Sequence, residues 1–201
     1  MKRIAFTGII ASAFLFGTVA CNQDQGAVED AQETNEQMAE DTPMEDVKID
    51  QSDFMTRAAS SSMLEIEAGK LAQEKGMSQQ VKDYGKKMVA DHTKASTDMK
   101  ALAAKKSVVL PDSMSNEHME KLNDLREKTG AEFDESYADL MVSSHEEAVS
   151  LFEDASNNQE DAEVKTFATT TLPVLRQHLD HAKKLDESMN KGNDNASTPR
   201  N

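Results

Sequence analysis

The sequence predicts an all-α protein, a four-helix bundle with a short connector helix between the second and third long helices. Two observations carry this expectation. Apolar side chains recur at i, i+3, i+4 and i+7 through four long segments, the spacing that gathers them on one face of a helix. Aromatic residues make up only 4% of the chain and Trp is absent, a poor supply for sheets, which draw on aromatic and β-branched side chains. At 201 residues the chain has room for one core and its tails.

At the N-terminus, Lys2 and Arg3 precede an apolar run from Ile4 to Val19 that ends in small residues before Cys21. This is the pattern of a secretory signal, so residues 1–20 are expected to be cleaved off. Thr18-Val19-Ala20-Cys21 resembles the lipobox of bacterial lipoproteins, which implies a lipid-bearing Cys21 as a membrane anchor. Cys21 is the one cysteine, so the chain forms no internal disulfide, and a metal in the domain must be held without thiolate. Ten acidic residues lie between Asn22 and Asp50 among few large apolar ones. Residues 21–50 are therefore expected to be the lipidated cysteine and a disordered acidic tether, unable to bury enough surface to offset ordering. A net charge of −15 argues against nucleic acid as a partner.

The helical domain is expected over residues 51–189. Its first helix runs from about Ser52 to Lys75, with Phe54, Ala58, Ser62, Glu65, Gly69 and Ala72 on one face and Gly76 ending it. The second begins after Ser78 as N-cap and reaches about Lys105, stacking Val81, Gly85, Met88, His92, Met99 and Leu102. Small residues on both faces allow these two helices to approach closely. Val108 to Asp112, with Pro111, breaks the pattern, and Ser113 or Ser115 caps a connector helix ending by Gly130. The third long helix, from about Ala131 to Ala155, turns Phe133, Tyr137, Met141 and Ala148 inward, with His145 nearer the margin. The fourth, from about Asp161 to Met189, carries Pro173 within it, where a kink is expected. The polar end of the chain, residues 190–201, is expected to be a disordered tail.

Four residues stand out because burying an imidazole or a charge on an apolar stripe is costly without a partner. Glu65, His92, His145 and His178 come one from each long helix. At about 1.5 Å rise per residue, Glu65 and His92 fall within roughly 5 Å in height, and His145 and His178 within roughly 10 Å. One carboxylate and three imidazoles suit a divalent transition metal such as zinc, iron, nickel or copper. Asp91, Glu146 and His181, with Asp180, are candidates for supporting or alternative ligands. The alternative is that these histidines are core groups, hydrogen-bonded to Glu65, Ser62, Ser96, Ser144, Thr171 or the backbone. The Glu-x-x-His spacing of di-iron bundles is absent, since Val89, Val142 and Leu175 stand three residues before the histidines. No nucleophile elbow, phosphate loop, zincin or dinucleotide motif occurs. Met55, Met88, Met99 and Met141 read as core filling, and His118 as a solvated surface residue.

In chain order, the segment Leu64-Glu65-Ile66-Glu67-Ala68-Gly69-Lys70-Leu71-Ala72, then Met88-Val89-Ala90-Asp91-His92, Leu110-Pro111, Phe133-Asp134 with Tyr137, His145, and Leu172-Pro173 with His178-Leu179 resemble the bacterial domain of unknown function 4142 family. The resemblance covers about residues 51–188, with Tyr84-Gly85 replacing the more usual Phe-Ala. It implies a ferritin-like fold and export, often as a lipoprotein, and supplies no activity. Asn22 after Cys21 leans towards an outer-membrane anchor facing the periplasm. Two functional expectations follow: a non-enzymatic envelope module, binding an unidentified protein partner or serving in stress or envelope maintenance, and a metal-binding or metal-storage bundle. A hydrolytic or redox enzyme using the same centre is a weaker third.

Overall fold

A computed structural model describes residues 26–196, with side chains through 189. The expected signal sequence, Cys21 and the last residues from 197 lie outside them. The regular structure of the described residues is all helix, in the order α1 (Ala27–Ala39), α2 (Glu45–Lys75), α3 (Gln79–Lys106), α4 (Asn116–Glu127), α5 (Gly130–Asn158) and α6 (Ala162–Ala196).

Local signals in the sequence set most helix ends. The Ser78 hydroxyl accepts from Val81 N at 3.1 Å and opens α3, and Ser115 does the same for α4 through His118 N at 3.2 Å. The Asp161 carboxylate accepts from the amides of Glu163 and Val164 at the start of α6, at 3.0 and 3.1 Å. At the end of α3, Ser107 takes the left-handed conformation, with φ of 59°, and its amide returns to Ala103 and Ala104. α6 continues as one helix through Pro173.

α2 and α3 form one long antiparallel hairpin, and α5 and α6 another. The first hairpin is tight because glycines meet where its helices cross. A Cβ on Gly69 would fall 2.8 Å from the Gly85 carbonyl oxygen, and one on Gly85 would fall 2.7 Å from that of Gly69. Asp134, buried on α5, holds the turn between α2 and α3 by accepting from Met77 N at 2.9 Å and Ser78 N at 2.7 Å. The two hairpins join through α2 against α5 and α3 against α6, and α4 packs on α2 and α5.

The interior divides into two apolar cores. One holds Leu64, Met88, Phe133, Tyr137 and Met141, the other Phe54, Met55, Met99, Phe152 and Leu175. All four methionines expected as core filling are buried. Between the cores lies a polar layer with Glu65, His92, His145 and His178.

The disordered tether expected over residues 21–50 is corrected from residue 27 onward. α1 occupies residues 27–39, and α2 begins at Glu45, six residues before the expected domain boundary at 51. α1 buries only the narrow stripe Val28, Ala31, Asn35 and Ala39, too little apolar surface for a helix on its own. The rest of the chain supplies what it lacks. Asn35 grips the backbone of Val109, donating to its carbonyl at 2.8 Å and accepting from its amide at 2.7 Å, and Gln32 donates to Asp53. The expected disordered tail is likewise shortened, since the α6 backbone runs to Ala196.

Candidate metal centre

Each of the four polar residues is carried inward by its helix register. His92 follows Met88 by four residues and precedes Met99 by seven on the buried stripe of α3. His145 lies between Met141 and Ala148 on α5, and His178 between Leu175 and Ala182 on α6. Glu65, His92, His145 and His178 are 1%, 5%, 0% and 1% exposed. His145 is thus not marginal, because both α2 and α4 pack on α5.

The three imidazoles converge. Their ring centroids are 5.6 Å apart for His92 and His145, 5.3 Å for His92 and His178, and 5.4 Å for His145 and His178. The last pair meets more closely than the expected difference in height. α5 extends to Asn158 rather than Ala155, which moves the α5–α6 turn by three residues, roughly 4.5 Å along the axis.

One nitrogen of each ring faces an acceptor. His92 Nδ1 lies 2.8 Å from Glu65 Oε2, His145 Nδ1 lies 2.8 Å from the Met141 carbonyl, and His178 Nε2 lies 2.9 Å from Asp91 Oδ2. Carboxylates and carbonyls only accept, so in a neutral ring the proton sits on that nitrogen and the other carries a lone pair. Those other nitrogens, His92 Nε2, His145 Nε2 and His178 Nδ1, are buried and have no hydrogen-bond partner. One ligand atom from each histidine lies within 4.8 Å of the others. A tetrahedral ion with metal–nitrogen distances of about 2.1 Å needs nitrogens about 3.4 Å apart, a modest closure for three side chains. Core histidines satisfied on both sides would not leave one buried nitrogen unpartnered on each of three converging rings.

Glu65 stands behind this triad. Its Oε1 accepts from Ser144 Oγ at 2.7 Å and lies 3.5 Å from His145 Nδ1, while Oε2 pairs with His92. Burial alone would raise its pKa, but the neighbouring His92 and His145, with hydrogen bonds from His92 and Ser144, hold the carboxyl well below the usual carboxylate range. Burial would lower His92, and Glu65 overcomes it, so its pKa is raised. His145 is lowered by burial despite Glu65. Burial and the charges of its imidazole neighbours outweigh the Asp91 hydrogen bond at His178 and hold it at about 4. Of the three rings, His92 is therefore the one that takes up a second proton first as pH falls.

Asp91 is joined to the site through His178 and to Lys87 Nζ at 2.6 Å. Glu146 and His181 are not brought in. Glu146 pairs with Lys183 on the surface at 2.8 Å, and His181, like Asp180, is exposed. His118 is not the free surface residue expected. It is half-buried, and its Nδ1 lies 2.7 Å from Ser60 Oγ, which also accepts from Ser115 N at 2.9 Å, so that the pair fastens α4 to α2. These two residues lie 58 positions apart, and nothing local in the sequence announces their contact.

A cavity of about 470 Å³ reaches the centre, with Glu65, His92 and His178 in its wall. Among the described residues, no helix is long and apolar enough to cross a membrane.

A solved fragment of domain of unknown function 305 from Deinococcus radiodurans is similar in fold. It has 13% identity and a TM-score of 0.61, covering 75% of this chain and 97% of that one. No curated protein matches the sequence. The sequence model of domain of unknown function 4142 matches residues 28–185, from within α1 to near the end of the core-packed part of α6. Over most of its length, then, the chain belongs to the domain of unknown function 4142 family.

Proposed function

We propose that this protein is a lipid-anchored component of the bacterial cell envelope whose helical domain binds one divalent transition-metal ion on His92, His145 and His178. The observation that carries the metal assignment is the set of three buried, unpartnered imidazole nitrogens on rings that converge to centroid distances of 5.3–5.6 Å, each ring also held by an acceptor. This is how proteins orient histidine ligands and fix their tautomers. Glu65 and Asp91 act as the outer partners of His92 and His178. The four long helices, α2, α3, α5 and α6, form a ferritin-like four-helix bundle around the ion. Without the Glu-x-x-His pairs, a di-iron centre is not proposed.

Protein purified without an affinity tag is expected to take up one equivalent of zinc and to melt at a higher temperature when loaded. The His92→Ala and His178→Ala variants are expected to lose that equivalent. Because the His92 pKa is raised, loading below that pKa should release a proton from His92, and affinity should rise with pH until the His92 pKa is passed. Calorimetry in buffers of different ionisation enthalpy measures the proton. No stoichiometric metal and an unchanged melting temperature would overturn the assignment.

The envelope assignment rests on the Thr18-Val19-Ala20-Cys21 pattern behind a short apolar run. An outer-membrane anchor facing the periplasm is the location proposed. Cys21→Ser is expected to move the protein from the membrane fraction to the soluble fraction on cell fractionation. Retention of that variant in the detergent-extracted fraction would sink the anchor.

A further inference from the structure

The cavity beside the centre differs from the centre in chemistry. The carboxylate residues Glu65, Asp91 and Asp112 also line it; away from these and the histidines its wall is mainly apolar, with Ala58, Met99, Ala148, Phe152, Phe167 and Leu175 from all four long helices. His92 and His178 form part of its wall, whereas His145 does not. An ion on the three nitrogens would therefore be closed off on the His145 side and open on the cavity side. Three neutral imidazoles leave a divalent ion with its full charge and a free position, which favours an anionic oxygen donor. Exposed Lys100 lies on the cavity rim, with Thr97 of α3 and Val174 of α6. The volume is in the range of small-molecule pockets, which combine an apolar wall with a few convergent polar groups.

We propose that the cavity binds a small amphipathic monoanion, an alkyl carboxylate, with its carboxylate on the metal held by the three histidines and its alkyl chain against Met99, Phe152, Phe167 and Leu175. The inference rests on the metal assignment and names the ligand class of that same centre. Acetate satisfies the ion and leaves the apolar wall unused, whereas octanoate satisfies both. Each methylene buried tightens binding about fourfold, and part of that gain is lost to ordering the chain. Octanoate should therefore bind the loaded protein about a hundredfold more tightly than acetate.

The test is calorimetric titration of the full chain with acetate, butanoate and octanoate, with and without one equivalent of zinc. The expected result is affinity that climbs with chain length and depends on zinc. Thr171→Phe places a ring in the cavity from a half-buried position outside the metal ligands. It should keep zinc and lose octanoate. If zinc itself fails to bind, the metal assignment falls. If zinc binds but octanoate binds no better than acetate, the cavity proposal falls and the metal assignment stands. Octanoate binding equally well without zinc would also overturn the proposal, because its head would then not be on the ion. The chain-length series on the unaltered protein decides the matter even if Thr171→Phe does not fold.

Discussion

Replacing Glu65 by alanine is expected to destabilise the metal-free protein by about 3–5 kcal/mol, the range for removing one partner of a buried charged pair. The carboxylate is 1% exposed and is held by His92 and Ser144, so its loss strands a buried imidazole and a hydroxyl at once. Urea unfolding of the unaltered and variant proteins measures the difference. A loss under about 1 kcal/mol, the size of one ordinary hydrogen bond, would show that the layer between the two cores is not organised by this charge.

The pH dependence of the unaltered protein follows from the same groups. Glu65 is depressed when folded, so its contribution is present above the ordinary carboxylate range and fades as pH falls towards its folded pKa. His178 is held at about 4 when folded, against about 6.5 when unfolded. Between those values the unfolded chain binds more protons, so stability falls as pH drops through that window. His145 acts in the same direction. His92 is raised and acts oppositely: its contribution is complete below its unfolded pKa and is lost as pH rises through the folded one. His92 therefore opposes the other two only above about pH 6.5, and acidification from about pH 6.5 to 4 should lower stability. In the Glu65→Ala protein His92 loses the charge that raised it, so its opposing contribution should disappear.

Asp91→Ala is expected to weaken zinc binding about 10–100-fold while leaving the fold intact, the usual penalty for removing the group that orients a metal-bound histidine. Asp91 is half-exposed, and its pairing with Lys87 spans one turn of a single helix, so its removal should change stability little. Within the site its effect is specific. Without Asp91 Oδ2, nothing holds the proton on His178 Nε2, and the nitrogen facing the other histidines is no longer guaranteed its lone pair. Competition with a chromogenic zinc chelator measures the affinity. An unchanged value would place His178 outside the coordination sphere.

The helical stripes, the caps at Ser78 and Ser115, and the stops at Gly76 and after α3 are legible in the sequence because each is decided within a few residues. The same local periodicity singles out Glu65, His92, His145 and His178 as polar groups on buried faces. Their convergence is another matter. It depends on where the α5–α6 turn falls and on what packs over α5, and three residues of helix length changed the apparent height of His145. Which of the four polar groups leaves a nitrogen unpartnered and which stands behind the rings was also decided in three dimensions. Glu65 gives both its oxygens to neighbours, and the acceptors behind His145 and His178 are a carbonyl on α5 and a carboxylate on α3.

α1 shows the same division most clearly. Its stretch is acidic and lacks large apolar residues, so its composition alone reads as tether. It is helical because Asn35 finds the backbone at Val109 and Gln32 finds Asp53. A short helix with a narrow apolar stripe depends on packing, and its partners lie far along the chain. The sequence by itself determined which faces of the four long helices are greasy and where local caps and stops such as Ser78 and Gly76 fall, since those depend on neighbours within about one turn. Only the tertiary structure decided what the faces enclose, because the three imidazoles meet through contacts between helices that local periodicity does not encode.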